Sequence, residues 1–303
     1  MVMSLLQRLW IYQRERFPLL SHSVLIVALT IGVSGFASAG RGWPSPLRLV
    51  GAFVAAIAFF MLLRISDEFK DAADDAAYRP YRPVPRGLVT LTELAGVGVV
   101  ILVVQLVVTL LLGVQLLPYL LAAWLLMALM SQEFFIGDWL RARPIPYMLS
   151  HMLILPLIDF YLLSAAWQGH GAPPVAFGWF VVATYTNGIV FEIGRKVRAA
   201  PDEEHGVETY SALWGINRAV FAWLLAVTVA GCAGIMAAWS LGQGARPAIA
   251  IMLVLLAGWL AALWVAWRMA KQPTTKHSRW LETFSGVWLL AFYLCMGLLP
   301  HWG

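Results

Sequence analysis

Long apolar runs alternate with short polar stretches along the whole chain. Nine runs approach the ~20 residues that a helix needs to cross the hydrocarbon of a bilayer. They cover residues 18–38, 46–66, 91–113, 118–135, 144–167, 174–194, 212–240, 247–269 and 283–301. The pattern predicts an all-α polytopic membrane protein: one domain over residues 1–303, nine transmembrane helices, and a polar N-terminal segment over 1–17. Trp43, Tyr119, Trp139, Tyr147, Trp239 and Trp280 fall near the ends of runs, where amphipathic rings sit at the headgroup level. No solenoid period or low-complexity tract interrupts the series.

Composition removes the soluble alternative. The chain is 61% hydrophobic and 12% charged, about half the ~25% charged share of a soluble domain. A soluble fold of this makeup would leave large apolar patches in water. Cys232 and Cys295 lie inside apolar runs and read as small packing residues without a disulfide. Ala37-Ser38-Ala39 resembles a leader-cleavage site. The apolar stretch before it exceeds the ~7–15 residues of a leader, and more spans follow, so the first run is expected to remain as a helix.

The charges sort by side. With nine spans, 18 of the 21 lysines and arginines fall on one side, and only Arg41, Arg48 and Arg246 on the other. The positive-inside bias makes the rich side cytoplasmic, with the N-terminus inside. The lack of a transit segment points to a bacterial inner membrane. This layout accounts for the net charge of +5, so the lipid bilayer is the expected partner and nucleic acid is not. Fifteen of the sixteen acids share that side, and Asp159 alone sits deep in a span. Chemistry gathered at one face suits an active site better than an alternating-access carrier, which needs polar groups along a path.

Asp67-Glu68-Phe69-Lys70-Asp71-Ala72-Ala73-Asp74-Asp75 places five carboxylates in nine residues, directly after an apolar run. Acids this dense beside lipid are costly unless they hold cations. Asp67, Asp71 and Asp75 recur every fourth residue, so a helix continuing past Arg64 sets them on one face. Glu68 and Asp74 flank that face. Such carboxylates repel unless a cation intervenes. Mg²⁺ takes a few carboxylate oxygens and completes its shell with water and phosphate oxygens. The cationic string Arg79-Pro80-Tyr81-Arg82-Pro83-Val84-Pro85-Arg86-Gly87 follows. Together they point to a phosphorylated ligand with an apolar tail; a solvated acidic loop is the plainer alternative.

The run Asp67-Glu68-x-x-Asp71-x-x-x-Asp75, then Arg82-Pro83-x-Pro85-x-Gly87, resembles the first signature of the UbiA superfamily of intramembrane prenyltransferases. That signature reads Asn-Asp-x-x-Asp-x-x-x-Asp, followed by Arg-Pro-x-Pro-x-Gly. The resemblance implies nine helices around a central cavity open to the cytoplasmic side. There, acids of two loops hold Mg²⁺ against an isoprenyl diphosphate, and the prenyl group passes to an aromatic or other lipophilic acceptor. It implies magnesium ligands at Glu68, Asp71 and Asp75, with Asp67 at the family's Asn as a further one. It implies Arg79, Arg82 and Arg86 on the diphosphate, and Arg141 is a further candidate there.

The second family signature, Asp-x-x-x-Asp before a Gly-Val-x-Ser loop, is met only in part. Gly206-Val207 and Ser211 give a loose version of the loop. Glu192 stands for the first acid, but Lys196 occupies the place of the second, a reversal of charge. Asp202 supplies the missing ligand if the loop folds back. Alternatively, Arg195 and Lys196 contact the diphosphate as cations, or Glu192 simply pairs with them at i+3 and i+4.

Several polar groups near or inside the bilayer carry two readings each. Asn187 faces the cavity or joins two helices. Gln132, Glu133 and Asp138 line a pocket or are interfacial charges. Asp159 recognises the acceptor or takes its proton, or is paired with His151 two turns earlier. A terpene cyclase working without an acceptor and a non-enzymatic lipid-binding or carrier protein are the alternatives for the whole. No Asp-Gly pair occurs, which argues against a CDP-alcohol phosphotransferase.

Overall fold

The computed structural model describes residues 3–168 and 170–302. These residues form helices and no strands. In chain order the α-helices are α1 (Leu5–Arg16), α2 (Leu19–Ser38), α3 (Pro46–Lys70), α4 (Ala72–Tyr78), α5 (Leu91–Leu112), α6 (Leu117–Ser131) and α7 (Gly137–Arg141). They continue with α8 (Pro144–Met152), α9 (Ile154–Trp167), α10 (Val175–Arg195), α11 (Tyr210–Trp214), α12 (Ile216–Ser240), α13 (Ala245–Lys271) and α14 (Thr275–Leu298). Nine segments among the described residues are long and apolar enough to cross a membrane, one for each predicted run. The protein is a multi-pass membrane protein.

Three departures from the predicted pattern matter for the site. The N-terminal segment is itself helical: the Ser4 hydroxyl and the Gln7 side chain cap α1 reciprocally. The second span extends to Lys70, so Asp67 and Glu68 are held on a helix and not in a loop. The fifth span breaks at Leu153 into α8 and α9.

Lipid tails are as apolar as leucine, so helices in a bilayer are held by close packing and interhelical hydrogen bonds. Both occur here. The first and last spans, α2 and α14, meet through small residues: a Cβ on Gly32 would lie 2.6 Å from the Tyr293 carbonyl oxygen. Gln105 on α5 donates to the Ala55 carbonyl of α3 at 2.9 Å and accepts from Trp124 Nε1 of α6 at 2.7 Å. At the charged end, Trp223 Nε1 of α12 donates to Ser285 Oγ of α14 at 2.9 Å. Gly194 of α10 sits against that Ser285 side chain, so the end of α10 is fixed by its neighbours.

Helix α1 is clamped onto the same end. Arg8 donates to both Glu93 oxygens at 3.0 and 2.5 Å. Arg16 Nε reaches Glu68 at 2.6 Å, and Glu15 accepts from Arg86 at 2.7 and 2.9 Å.

Candidate active site at the charged end of the bundle

The acidic run keeps helical order through a bend at Asp71 (φ −91°, ψ 6°). Asp71 N–H bonds the Asp67 carbonyl at 2.9 Å, and Asp75 N–H bonds the Asp71 carbonyl at 2.8 Å. The acids nevertheless divide between two faces. Glu68 and Asp75 are seven residues apart, two helical turns, and share one face. Both are buried. Glu68 meets Arg16 at 2.6 Å and Arg64 at 3.1 Å. Asp75 meets Arg82 at 2.7 Å, Arg79 at 2.8 Å and Arg16 at 3.9 Å. Four guanidinium groups thus surround two carboxylates.

Asp67 and Asp71 occupy the other face. The Asp67 side chain is 47% exposed, and its cation partner is Arg64 at 3.6 Å. Asp71 is partly buried. Burial pushes its carboxyl above the ordinary carboxylate range, an effect that the nearby Lys70 ammonium reduces. The single predicted stripe of Asp67, Asp71 and Asp75 is therefore two. Eight residues at 3.6 per turn rotate Asp75 by roughly 80° from Asp67, and the arginines draw it further into its own cluster.

The arginine loop is placed differently from the expectation of a diphosphate clamp. Arg79 and Arg82 are committed to Asp75. Arg86 donates to Glu15 and to the Tyr81 carbonyl at 2.8 Å, which ties the loop to α1. Arg141 Nε donates to Glu133 at 2.9 Å.

At the end of α10, Glu192 accepts from Arg195 and, at 2.9 Å, from Lys196. Of the readings given above, local pairing is the one observed. The Glu192 side chain is buried, whereas Arg195 and Lys196 keep 46% and 35% of their side-chain surface exposed. The Asp67 carboxylate contributes to the electrostatic surroundings of Arg195. Asp202 sits in a turn whose carbonyl accepts from Arg198 at 3.3 Å. It is Glu203 that organises this loop, accepting from Thr209 at 2.6 Å and Ser211 at 2.7 Å. Among the described residues, no three His, Cys, Asp or Glu side chains are grouped to hold one ion.

Sequence reasoning passed over Lys70 and Tyr147. Lys70 Nζ donates to the Tyr147 hydroxyl at 2.7 Å, and Asp67 and Asp71 act on the same ammonium. The Tyr147 ring stacks on His151 with centroids 4.1 Å apart. The signal for Lys70 was its place inside the acidic run; Tyr147 looked like one more interfacial ring. Also missed was the turn Glu133-Phe134-Phe135, with φ of 46°, 55° and 61°. Left-handed backbone costs a non-glycine residue ~1–2 kcal/mol. The turn holds Glu133 buried, close enough to Tyr147 and His151 to act on both.

Deeper in the bundle, Asn187 Oδ1 accepts from Trp288 Nε1 at 2.8 Å, and its Nδ2 is buried without a partner. Asp159 accepts from the Thr184 hydroxyl of α10. His151 is not its partner: the break at Leu153 sets the two on separate helices, and His151 Nδ1 instead lies 2.8 Å from the Tyr147 carbonyl.

Magnesium is commonly held by one or two carboxylates plus substrate phosphates. The hard, partly open oxygens of Asp67 and Asp71 fit that requirement. Glu68, Asp75 and Glu192 fit it less well, because arginine or lysine already occupies Oε1 of the buried Glu68 and both oxygens of Asp75 and Glu192.

Among the described residues, nine apolar spans with the ion pairs gathered at one end define a polytopic helical membrane protein. The chain belongs to the UbiA prenyltransferase family, whose model matches residues 25–299. The fold is that of a UbiA homologue from Aeropyrum pernix K1, with TM-score 0.68 and 17% identity over 92% of this chain and 96% of that one. A structure of digeranylgeranylglyceryl phosphate synthase gives TM-score 0.66 at 14% identity, covering 98% of this chain and 100% of the other. A UbiA homologue from Archaeoglobus fulgidus bound to DMAPP and Mg²⁺ gives 0.57 at 13%, covering 95% and 99%. No curated protein matches by sequence. Family membership supports a prenyltransferase type of activity.

Proposed function

We propose that this chain is a Mg²⁺-dependent intramembrane prenyltransferase. It moves a prenyl group from an isoprenyl diphosphate to an aromatic or other lipophilic acceptor, at the cytoplasmic face of a bacterial inner membrane. One observation carries the reading: the half-exposed Asp67 and part-buried Asp71 share one face of the acid-bearing helix, and the part-exposed cations Arg195 and Lys196 close α10. The A. fulgidus homologue holding DMAPP and Mg²⁺ supports the ligand class.

Asp67 and Asp71 would hold the metal, which when bound supplies Lewis-acid neutralisation of diphosphate charge. Lys70, Arg195 and Lys196 present fixed positive charge toward the departing diphosphate, the electrostatic role that matters most where water is scarce. Arg16, Arg64, Arg79 and Arg82 act through Glu68 and Asp75: they hold the acid-bearing helix in place. The apolar helices around the prenyl tail keep water from the allylic cation. Asn187, with its free amide nitrogen, and the Asp159–Thr184 pair mark the acceptor end.

The test is purified protein with Mg²⁺ and a prenyl diphosphate, assayed for pyrophosphate with and without candidate acceptors. Acceptor-dependent release is expected. Release of hydrocarbon without acceptor would make the chain a cyclase, and no release with any donor would overturn the enzyme reading.

A further inference from the structure

The acids at the mouth of the site already have cationic partners without any metal. Three carboxylates, Asp67, Asp71 and Glu192, stand among three cations, Lys70, Arg195 and Lys196. Lys196 Nζ is 2.9 Å from Glu192, and Arg195 bonds the same carboxylate. Lys70 lies in the field of both Asp67 and Asp71, and Arg195 in that of Asp67. Arg64, shared between Asp67 and Glu68 at 3.6 and 3.1 Å, adds further positive charge.

The geometry at the second lobe is one-sided. Both Glu192 oxygens are occupied, Oε1 by Lys196 and Oε2 by Arg195. The carboxylate is buried beneath the heads of the two cations, which remain partly exposed. An arriving divalent cation meets positive charge first. An arriving anion meets two donors at the correct sign. Lys196 is also anchored at the backbone, where its carbonyl accepts from Tyr210 N–H at 2.9 Å. The ammonium lies over the Tyr210 ring, 5.8 Å from its centroid.

We infer that Arg195 and Lys196 close the second lobe to metal, so that this protein binds a single divalent cation and binds it more tightly once the diphosphate is present. The inference rests on the prenyl-diphosphate reading and adds stoichiometry and coupling to it. In the resting protein, Asp67 is already paired with Arg64 at 3.6 Å, and Lys70 stands between the two aspartates in the chain, so they offer little net attraction to Mg²⁺. A diphosphate reverses this. Its oxygens engage Arg195 and Lys196, draw positive charge away from the two aspartates, and supply the remaining ligands a magnesium ion needs. The coupling is reciprocal: diphosphate must tighten the metal by the factor that the metal tightens diphosphate.

The experiment is Mn²⁺ titration of the full chain in nanodiscs, read by the loss of free-Mn²⁺ electron paramagnetic resonance signal. It is run with and without a non-hydrolysable thio-diphosphate analogue of a prenyl donor. The expected result is one Mn²⁺ per chain with the analogue, and affinity weaker on the order of tenfold or more without it. Lys196→Asp should admit a second Mn²⁺, and Lys196→Gln should leave one while weakening the analogue. Two Mn²⁺ per wild-type chain, or equally tight binding without the analogue, would overturn the inference while leaving the prenyltransferase reading intact. No analogue-dependent Mn²⁺ at all would overturn both. The wild-type count decides the matter even where a variant fails to fold.

Discussion

Tyr78, the last residue of α4, covers Gly206 so closely that no side chain fits between them. Gly206 also has φ +76°, the left-handed region that disfavours other residues, and the His205 and Tyr78 rings meet edge to face with centroids 6.1 Å apart. The acidic lobe and the loop after α10 are thereby joined. Gly206→Ala is expected to separate them. Limited proteolysis should cut the 197–209 loop faster, and the affinity for a prenyl-diphosphate analogue should drop several-fold. Unchanged cleavage and affinity would mean that the loops are held elsewhere.

The two faces of the acidic helix should respond to mutation in opposite ways. Glu68→Gln removes the buried carboxylate that Arg16 and Arg64 share and leaves them only the more distant Asp75 and Asp67, at 3.9 and 3.6 Å, and breaking a buried pair costs about 3–5 kcal/mol. It should lower the melting temperature sharply. Asp71→Asn should leave the melting temperature nearly unchanged and cut pyrophosphate release by at least about a hundredfold. Equal effects on stability would show that the division into two faces is mistaken.

The same division redirects the expectation for Arg82. Its guanidinium binds both Asp75 oxygens at 2.7 Å, so Arg82→Ala should show chiefly as lost stability, measured by thermal unfolding. A rise in donor KM with an unchanged melting temperature would place Arg82 on the diphosphate instead.

Asp71 sets a pH dependence with a definite sign. Burial raises its carboxyl above the unfolded value, so the folded state keeps this proton to higher pH. Its contribution to stability is then present at low pH and declines as pH rises from the ordinary carboxylate range through the raised value. Mn²⁺ binding with the analogue needs the carboxylate and should weaken as pH falls through that same value. A titration of Mn²⁺ affinity against pH checks this. Affinity that stays flat down to the ordinary carboxylate range would exclude Asp71 as the titrating ligand.

The architecture was legible in the sequence because lipid leaves the backbone few choices. Each apolar run long enough to span became a span-length helical segment. The acids were legible as a cluster, but their division was not. Whether Glu68 faces a metal or an arginine depends on Arg16, 52 positions away, and that pairing follows from how α1 folds back. The reversal at Lys196 could be read directly, and so could the option that Glu192 pairs with its neighbours, because both partners lie within one helical turn. Tyr147 on Lys70 could not, since the two meet only when the fifth span packs beside the second. The turn at Glu133-Phe134-Phe135 gave no sign at all, because left-handed backbone is usually announced by glycine.

The seam between α2 and α14 carries a consequence for biosynthesis. The glycine-lined side of the first span is covered by the last one. During synthesis, which proceeds from the N-terminus, Gly32 and Gly35 must wait in lipid until some 260 further residues have been made. The nascent chain therefore carries this glycine-lined face without its partner until α14 inserts.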